Sequence, residues 1–384
     1  MARLGDVCKV VSGTTPKSNI EKYWDGEIDW ITPAEISENT KFVKESQRKI
    51  TELAVKESGL KPFPKGTVIL SSRAPIGKVA IAGKTMYCNQ GFKNLICSEI
   101  IYNEYLYWFL KAKNEYLNSL GRGATFKEIS KEIVENIEIP LPEIDEQKEI
   151  SQKFEKIDEL ISCRKEQLSK LDELVKARFV EMFGEPGSDI FGKGLISLGE
   201  CCEINPKKGQ DNRLVPDLKV SFVPMQAVSE KGEIDPSEEK IYDEVKTGFT
   251  YFAENDVLFA KITPCMENGK GAVAKGLING VGFGSTEFHV LRPVEGISNP
   301  YWLYEITAFE EFRKNAAENM TGSAGQRRVP ASFLENYKIA LPPLELQNQF
   351  AAFVEQTEKT KAEVQKSLDE LEILKKSLMQ KYFG

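Results

Sequence analysis

The stretch 147–184, QKEISQKFEKIDELISCRKEQLSKLDELVKARFVEMFG, has a counterpart at 347–384, QNQFAAFVEQTEKTKAEVQKSLDELEILKKSLMQKYFG, with no gap and a constant offset of 200 residues. Both copies open on Gln, close on Phe-Gly and share Leu168/Leu368 and Leu171/Leu371. A duplication at this period restricts the chain to a fold built twice. Neither copy contains Pro or an internal Gly, and Glu and Lys fill the outer faces. A 4-3 spacing places Ile150, Phe154, Ile157, Ile161, Leu168, Leu171 and Val175 on one face of the first copy. In the second it places Phe350, Val354, Val364, Leu368, Leu371 and Leu378 there. Each copy therefore predicts one long helix, ended by its Gly and about 57 Å long at ~1.5 Å per residue.

The two seams are interrupted at different places. Lys361 and Lys375 stand where the first copy has Ile161 and Val175, while Arg164 and Arg178 stand opposite Val364 and Leu378 as counterparts. Identical seams favour self-association. Complementary interruptions specify one pairing and register, so the helices are expected to pack on each other, antiparallel on connection grounds.

The duplication continues upstream. LGDVCKVVSG (4–13) answers LGECCEIN (198–205), and WITPAEISE (30–38) answers FVPMQAVSE (222–230). GTVILSSRAPIGKVAIAG (66–83) parallels NDVLFAKITPCMENGKGAVAKG (255–276), each a strand, a Pro-containing loop, a Gly-Lys and a second strand, which reads as a hairpin. NEYLYWFL (103–110) and NPYWLYEI (299–306) predict short core-facing aromatic helices. Gly-rich loops at 121–126 and 322–326 then lead through a short helix, a strand and a Pro-broken entry into each long helix. The expected fold is α+β: globular regions at 1–142 and 185–342, long helices within 143–184 and 343–384, and a Gly-rich linker at 185–197.

Composition excludes much. Met-Ala-Arg-Leu-Gly does not read as a signal peptide, and no apolar run reaches membrane-spanning length. The seven cysteines lack metal spacing, as in reduced cytoplasmic proteins. A single histidine, His289, leaves no Ser-His-Asp triad and no His-rich metal site; it reads as a strand residue. Gly77-Lys78-Val79 and Gly269-Lys270-Gly271 lack the hydroxyl of a phosphate-binding loop. The expectation is a chain without catalytic residues, metal or cofactor.

The net charge of −7 argues against a broad basic footprint. Polar and basic loop clusters nevertheless recur in both regions. The first has Thr14, Thr15 and Lys17; Ser72, Arg73 and Lys78; Asn89, Gln90 and Lys93; and Arg122. The second has Lys207, Lys208 and Arg213; Lys261, Thr263 and Lys270; and Gln326, Arg327 and Arg328. These side chains hold phosphates or read base edges, and flanking glycines let backbone approach a duplex.

IPLPEIDEQ (139–147) and IALPPLELQ (339–347) each run into a long helix. With LGDVCKVVSGTTPK and GSAGQRRV, they give a chain that resembles the specificity subunit of a type I restriction–modification enzyme over nearly its whole length. The second copy departs in Ala340 and Leu346, where the first has Pro140 and Glu146. It also offers Ile-Asn-Pro-Lys-Lys in place of Gly-Thr-Thr-Pro-Lys. The resemblance implies two target-recognition domains, each reading half of a split double-stranded DNA site, joined by two antiparallel helices that fix the gap. It further implies docking of two modification subunits, carriers of S-adenosylmethionine that methylate adenine, and then of restriction subunits, with Mg and ATP also on partners. A coiled-coil scaffold that gathers proteins without nucleic acid is the alternative reading.

Overall fold

The structure, a computed structural model, describes residues 1–384 apart from 38–39, 74, 123–126, 186 and 324. The end of the run at 30–38 and most of the Gly-rich loop at 121–126 lie outside the described residues. The chain divides into two compact units, Met1–Lys165 with Lys366–Gly384, and Glu166–Gln365. The long helices are Ile144–Phe183 and Leu344–Phe383, 40 residues each, so each unit holds a globular region and one half of each helix.

In the first unit a five-stranded sheet runs in the order Cys8–Ser12, Phe92–Cys97, Val68–Ser71, Val79–Ala82, Phe42–Val43. A second sheet has Trp24–Ile31 between Lys49–Ile50 and Tyr87–Cys88, the last pair parallel. The helix Asn103–Ala112 buries Tyr105, Leu106, Trp108, Phe109 and Leu110 in one core with Ile150, Phe154 and Phe383. Trp108 stacks on Phe154 at 5.3 Å and Phe154 on Phe383 at 5.6 Å. The helix halves run antiparallel: Asp158 meets Lys375, Lys165 meets Glu372 at 3.4 Å, and Arg164 meets Ser367 at 3.3 Å.

The second unit repeats this plan. One sheet is ordered Cys202–Ile204, Phe288–Pro293, Val257–Ala260, Gly271–Val273; the other is Glu239–Ile241, Lys219–Val223, Val281–Gly284, Thr250–Ala253. Lys219–Val223 and Val281–Gly284 are parallel, as their counterparts are. Among the described residues, each unit adds one edge strand to these sheets that the other lacks: Phe42–Val43 in the first and Thr250–Ala253 in the second. Both hairpins form as the sequence suggests, Leu70 pairing with Val79 and Phe259 with Gly271. The stretch 185–197 ends in the strand Leu195–Ser197, which pairs with Lys338–Ala340. Helix halves again run antiparallel, with Asp172 on Lys361 at 2.8 Å and Phe179 on Phe350 at 5.5 Å.

None of the thirteen apolar seam residues is exposed. The lysines that interrupt the second seam meet aspartates two heptads apart on the first helix, Asp158 and Asp172. Lys361 is 8% exposed. Burial pulls its ammonium down, but Asp172 and Glu358 outweigh that and raise it above the ordinary lysine value.

The glutamine that opens each repeat is a latch. Gln147 Oε1 accepts from Tyr102 N (2.8 Å), and its Nε2 donates to Ile100 O (3.0 Å) and Pro142 O (2.8 Å). Gln347 does the same with Asn299 N (2.8 Å), Ile297 O (3.1 Å) and Pro342 O (2.9 Å). Both are fully buried, so each ties the start of a long helix to its globular core with every amide group satisfied.

Candidate nucleic-acid interface

At one end of the larger sheet in the first unit, the loops after Cys8–Ser12 and Val68–Ser71, the turn before Phe92–Cys97, and Arg122 with Glu128 and Ile129 come together. Backbone hydrogen bonds build the frame. Ser72 N donates to Gly91 O (2.7 Å) and Ile129 N to Ser72 O (2.9 Å), while Arg122 and Glu128 exchange N–H to O bonds of 3.1 and 3.0 Å. Gly13 is required here, because a Cβ on it would lie 1.9 Å from Asn89 O. Its small size lets Thr14 N reach Cys88 O at 3.0 Å.

Side chains then fill the frame. Lys93, 6% exposed, donates to Ser72 Oγ and to Glu128 Oε1, both at 3.2 Å. Arg73 Nε donates to Glu128 Oε2 at 2.9 Å. Burial opposes ionisation of Glu128, but Arg73 and Lys93 prevail and hold its carboxyl below the usual range. Thr15 bonds Gln90, and Asn89 Oδ1 accepts from Gly91 N at 2.9 Å. Lys17 is exposed, and Arg122 is exposed beside the cluster.

The second unit has the same frame. Lys261 N donates to Glu287 O and Val329 N to Lys261 O, both at 2.9 Å, and Thr321 and Arg328 exchange bonds of 3.0 and 2.8 Å. Ser72 thus corresponds to Lys261, Gly91 to Glu287, Lys93 to His289, Arg122 to Thr321 and Glu128 to Arg328. The charges are redistributed. Arg328 clamps Glu287 through Nε (2.9 Å) and Nη2 (2.7 Å), and this keeps the Glu287 carboxyl low. Burial pulls the Lys261 ammonium down beside that pair. His289 lies in the strand, its Nε2 on Val329 O (2.8 Å) and Nδ1 on Asn205 Nδ2 (3.0 Å), with burial lowering its pKa. Thr263 Oγ1 donates to Glu267 at 2.7 Å, and Arg327 stands 4.0 Å from the same carboxylate. Gln326 and Lys207 are exposed.

Four of the sequence candidates do structural work. Lys78 Nζ donates to Pro33 O (3.0 Å) and Lys270 Nζ to Met225 O (3.3 Å), matching ties between a hairpin and the turn after a strand of the other sheet. Arg213 grips Asp211 and the carbonyls of Asn279 and Gly280; none of these belongs to the cluster. Lys208 caps the carbonyl of Lys246. Sequence reading missed the carboxylates Glu128, Glu287 and Glu267, because an acid that organises bases has no signature without its fold. Among the described residues no group of His, Cys, Asp and Glu is placed to hold a metal, and no helix is long and apolar enough to cross a membrane.

Residues 1–173 and 194–372 match the family described as type I restriction modification DNA specificity domain. The MjaIX specificity subunit of Methanocaldococcus jannaschii is 36% identical over 254 residues, which are 64% of this chain and 56% of that protein. The EcoAI specificity subunit of Escherichia coli is 44% identical over 156 residues, 40% of this chain and 26% of that protein. The matched stretches thus span about half or less of these relatives. A solved type I R-M structure has a chain similar in fold, with TM-score 0.62, 21% identity and coverage of 100% of this chain and 96% of that one.

Proposed function

The chain belongs to the type I restriction–modification DNA specificity family, and on that premise we propose that its two globular regions each read one half of a bipartite DNA site. One observation carries this reading: a loop cluster is built twice on the same backbone hydrogen bonds, with different side chains at matching positions. A repeated frame with diversified chemistry is what two readers of different sequences need. Arg73 and Arg328 are held by partly exposed carboxylates, and such pairs are worth ~0–1 kcal/mol. They can therefore exchange a carboxylate for a phosphate or a guanine edge at little cost. Lys93 and Lys261 support them from below.

The long helices act as spacer and as platform for two modification subunits, with restriction subunits joining after them. Leu174 and Leu374, equivalent residues on the two helices, are 48% and 46% exposed; a matched apolar point in each unit fits two copies of one partner. The chain itself is non-catalytic, and S-adenosylmethionine, Mg and ATP belong to the partners. The assembly directs methylation or cleavage and works in the cytoplasm. With partners clamping the duplex, the acidic net charge is no obstacle, and the isolated chain binds DNA weakly with a modest salt slope.

Adenine-methylation sequencing tests the reading. Deleting the chain should abolish methylation at one bipartite motif, whereas unchanged methylation would favour a scaffold without nucleic acid. Exchanging 1–142 for another such domain should change one half-site only. Deleting seven residues from both long helices shortens each by about 10 Å. It should alter the gap or abolish activity without changing the half-site bases.

A further inference from the structure

The second unit contains a cleft of about 560 Å³. It is bounded by the first long helix at Asp172 and Lys176, by the second at Val354 and Glu358, and by Tyr304 and Glu305 of the helix Pro300–Ala308. The repeat explains its origin. Equivalent hydrogen bonds of the Gln147 and Gln347 latches align Tyr102 with Asn299, and so Trp108 with Glu305; the 200-residue offset aligns Phe154 with Val354. In the first unit the indole of Trp108 is stacked on Phe154, with Lys375 Nζ 5.3 Å from its ring. In the second unit both rings are gone, and a carboxyl stands in place of the indole.

Glu305 is 7% exposed, and among the described residues its carboxyl makes no hydrogen bond or ion pair. Its neighbours do not supply one. Lys361 is held by Asp172 and Glu358, Arg313 donates to Ala308 O, and Lys176 lines the cleft without a salt bridge to Glu305. An acid buried without a donor is costly unless a ligand brings one. The vacated space is that of a flat ring, and the Tyr301 and Tyr304 side chains line it. A flat cation with paired donors fits both features, which selects guanidinium over ammonium.

We propose that this cleft receives an arginine side chain from a partner protein, its guanidinium paired with Glu305. The choice of a partner polypeptide rests on the reading above, in which the long helices that wall the cleft are a docking platform. The exposed Leu174, beside the lining residues Glu173 and Val175, gives that partner an apolar foothold next to the charge.

Titrating the full chain with N-acetyl-arginine amide, followed by NMR, tests the chemistry. Wild-type chain should bind it in the millimolar range, at least fivefold more tightly than N-acetyl-lysine amide. Glu305→Gln should weaken binding at least tenfold, and Glu305→Trp, which rebuilds the filling of the first unit, should abolish it. Unfolding curves confirm that both variants fold. Equal binding by Glu305→Gln, or any binding by Glu305→Trp, overturns the proposal. With co-expressed modification subunits, both variants should also weaken assembly at least tenfold. Full assembly together with failure to bind the amide would sink this inference and leave the DNA reading standing; methylation that never depended on the chain would sink that reading instead.

Discussion

Gln147 and Gln347 donate to and accept from the same three backbone positions in their respective units. At the loop clusters the backbone bonds also match, yet Glu128 faces its neighbours where Arg328 stands in the second unit, and Gly91 is replaced by Glu287. The comparison separates two kinds of position. Where side chains secure the long helix to its core, both copies keep the same chemistry. Where they project from the frame, even the sign of charge changes. Backbone hydrogen bonds do not depend on side-chain identity, so the frame survives substitutions that alter what it presents.

The sharpest break in that equivalence is Trp108 against Glu305. Trp108→Glu should cost the first unit about 5 kcal/mol, combining loss of a fully buried indole with burial of a carboxyl against the Phe154 ring. Chemical denaturation with hydrogen exchange across residues 100–112 reads the effect. A loss below about 1.5 kcal/mol would show that the first unit tolerates the cleft as well as the second does.

Next in size are the latches. Gln147→Leu and Gln347→Leu each strand two carbonyls and one N–H in the interior, at about 3 kcal/mol. The two losses should agree to within about 1 kcal/mol if the entries to the helices are true equivalents. Hydrogen exchange in residues 99–106 and 296–303 measures each unit separately, and a clear inequality would break the comparison at its firmest point.

How much of this was legible in the sequence follows the same division. The helices, their seam and the paired hairpins announce themselves through periodicity and through the offset of 200, because burial imposes a pattern on apolar residues. The glutamines were visible as shared letters but not as latches, since two of the three partners of each are backbone atoms 45 to 50 residues away in sequence. The loop candidates fared unevenly. Arg73 and Lys93 converge in the first unit and Lys261 and Arg328 in the second, while Arg213 serves Asp211 and Lys78 serves a turn. A basic residue between glycines reads alike in either role, and only the placement of carboxylates such as Glu128 and Glu287 tells the roles apart.

Glu305 adds a pH signature that Trp108, its equivalent in the first unit, cannot give. Burial raises its carboxyl to about 7, with Lys176 and Lys361 opposing that rise and Glu358 and Asp172 adding to it. The folded chain therefore retains a proton that the unfolded chain releases near the ordinary value of 4.5. Stability should fall as pH rises from about 4.5 to about 7 and then level off, by about 3 kcal/mol in all. Glu305→Gln should flatten this part of the profile in urea titrations between pH 5 and 8. A difference curve without slope would mean that the carboxyl is solvated after all.

The smallest stability effect is expected where the two helices differ most. Replacing Lys361 with Ile and Lys375 with Val gives the second seam the residues of the first. The exchange removes one buried and one half-buried ammonium group and leaves Asp158 and Asp172, which are 37% and 28% exposed at their side chains, free to turn to water. Swapping a partly buried ion pair for apolar contact is near neutral or mildly stabilising, so unfolding should shift by about 1 kcal/mol or less. The informative measurement is association. With both seams apolar at 161, 175, 361 and 375, pairing between copies of one helix is no longer opposed by a buried lysine. Sedimentation velocity should then show a concentration-dependent oligomer absent from the parent chain. A variant that stays monomeric at the same stability would mean that the aspartate–lysine pairs do not choose the partner, and that the connections to the globular units alone enforce the antiparallel match.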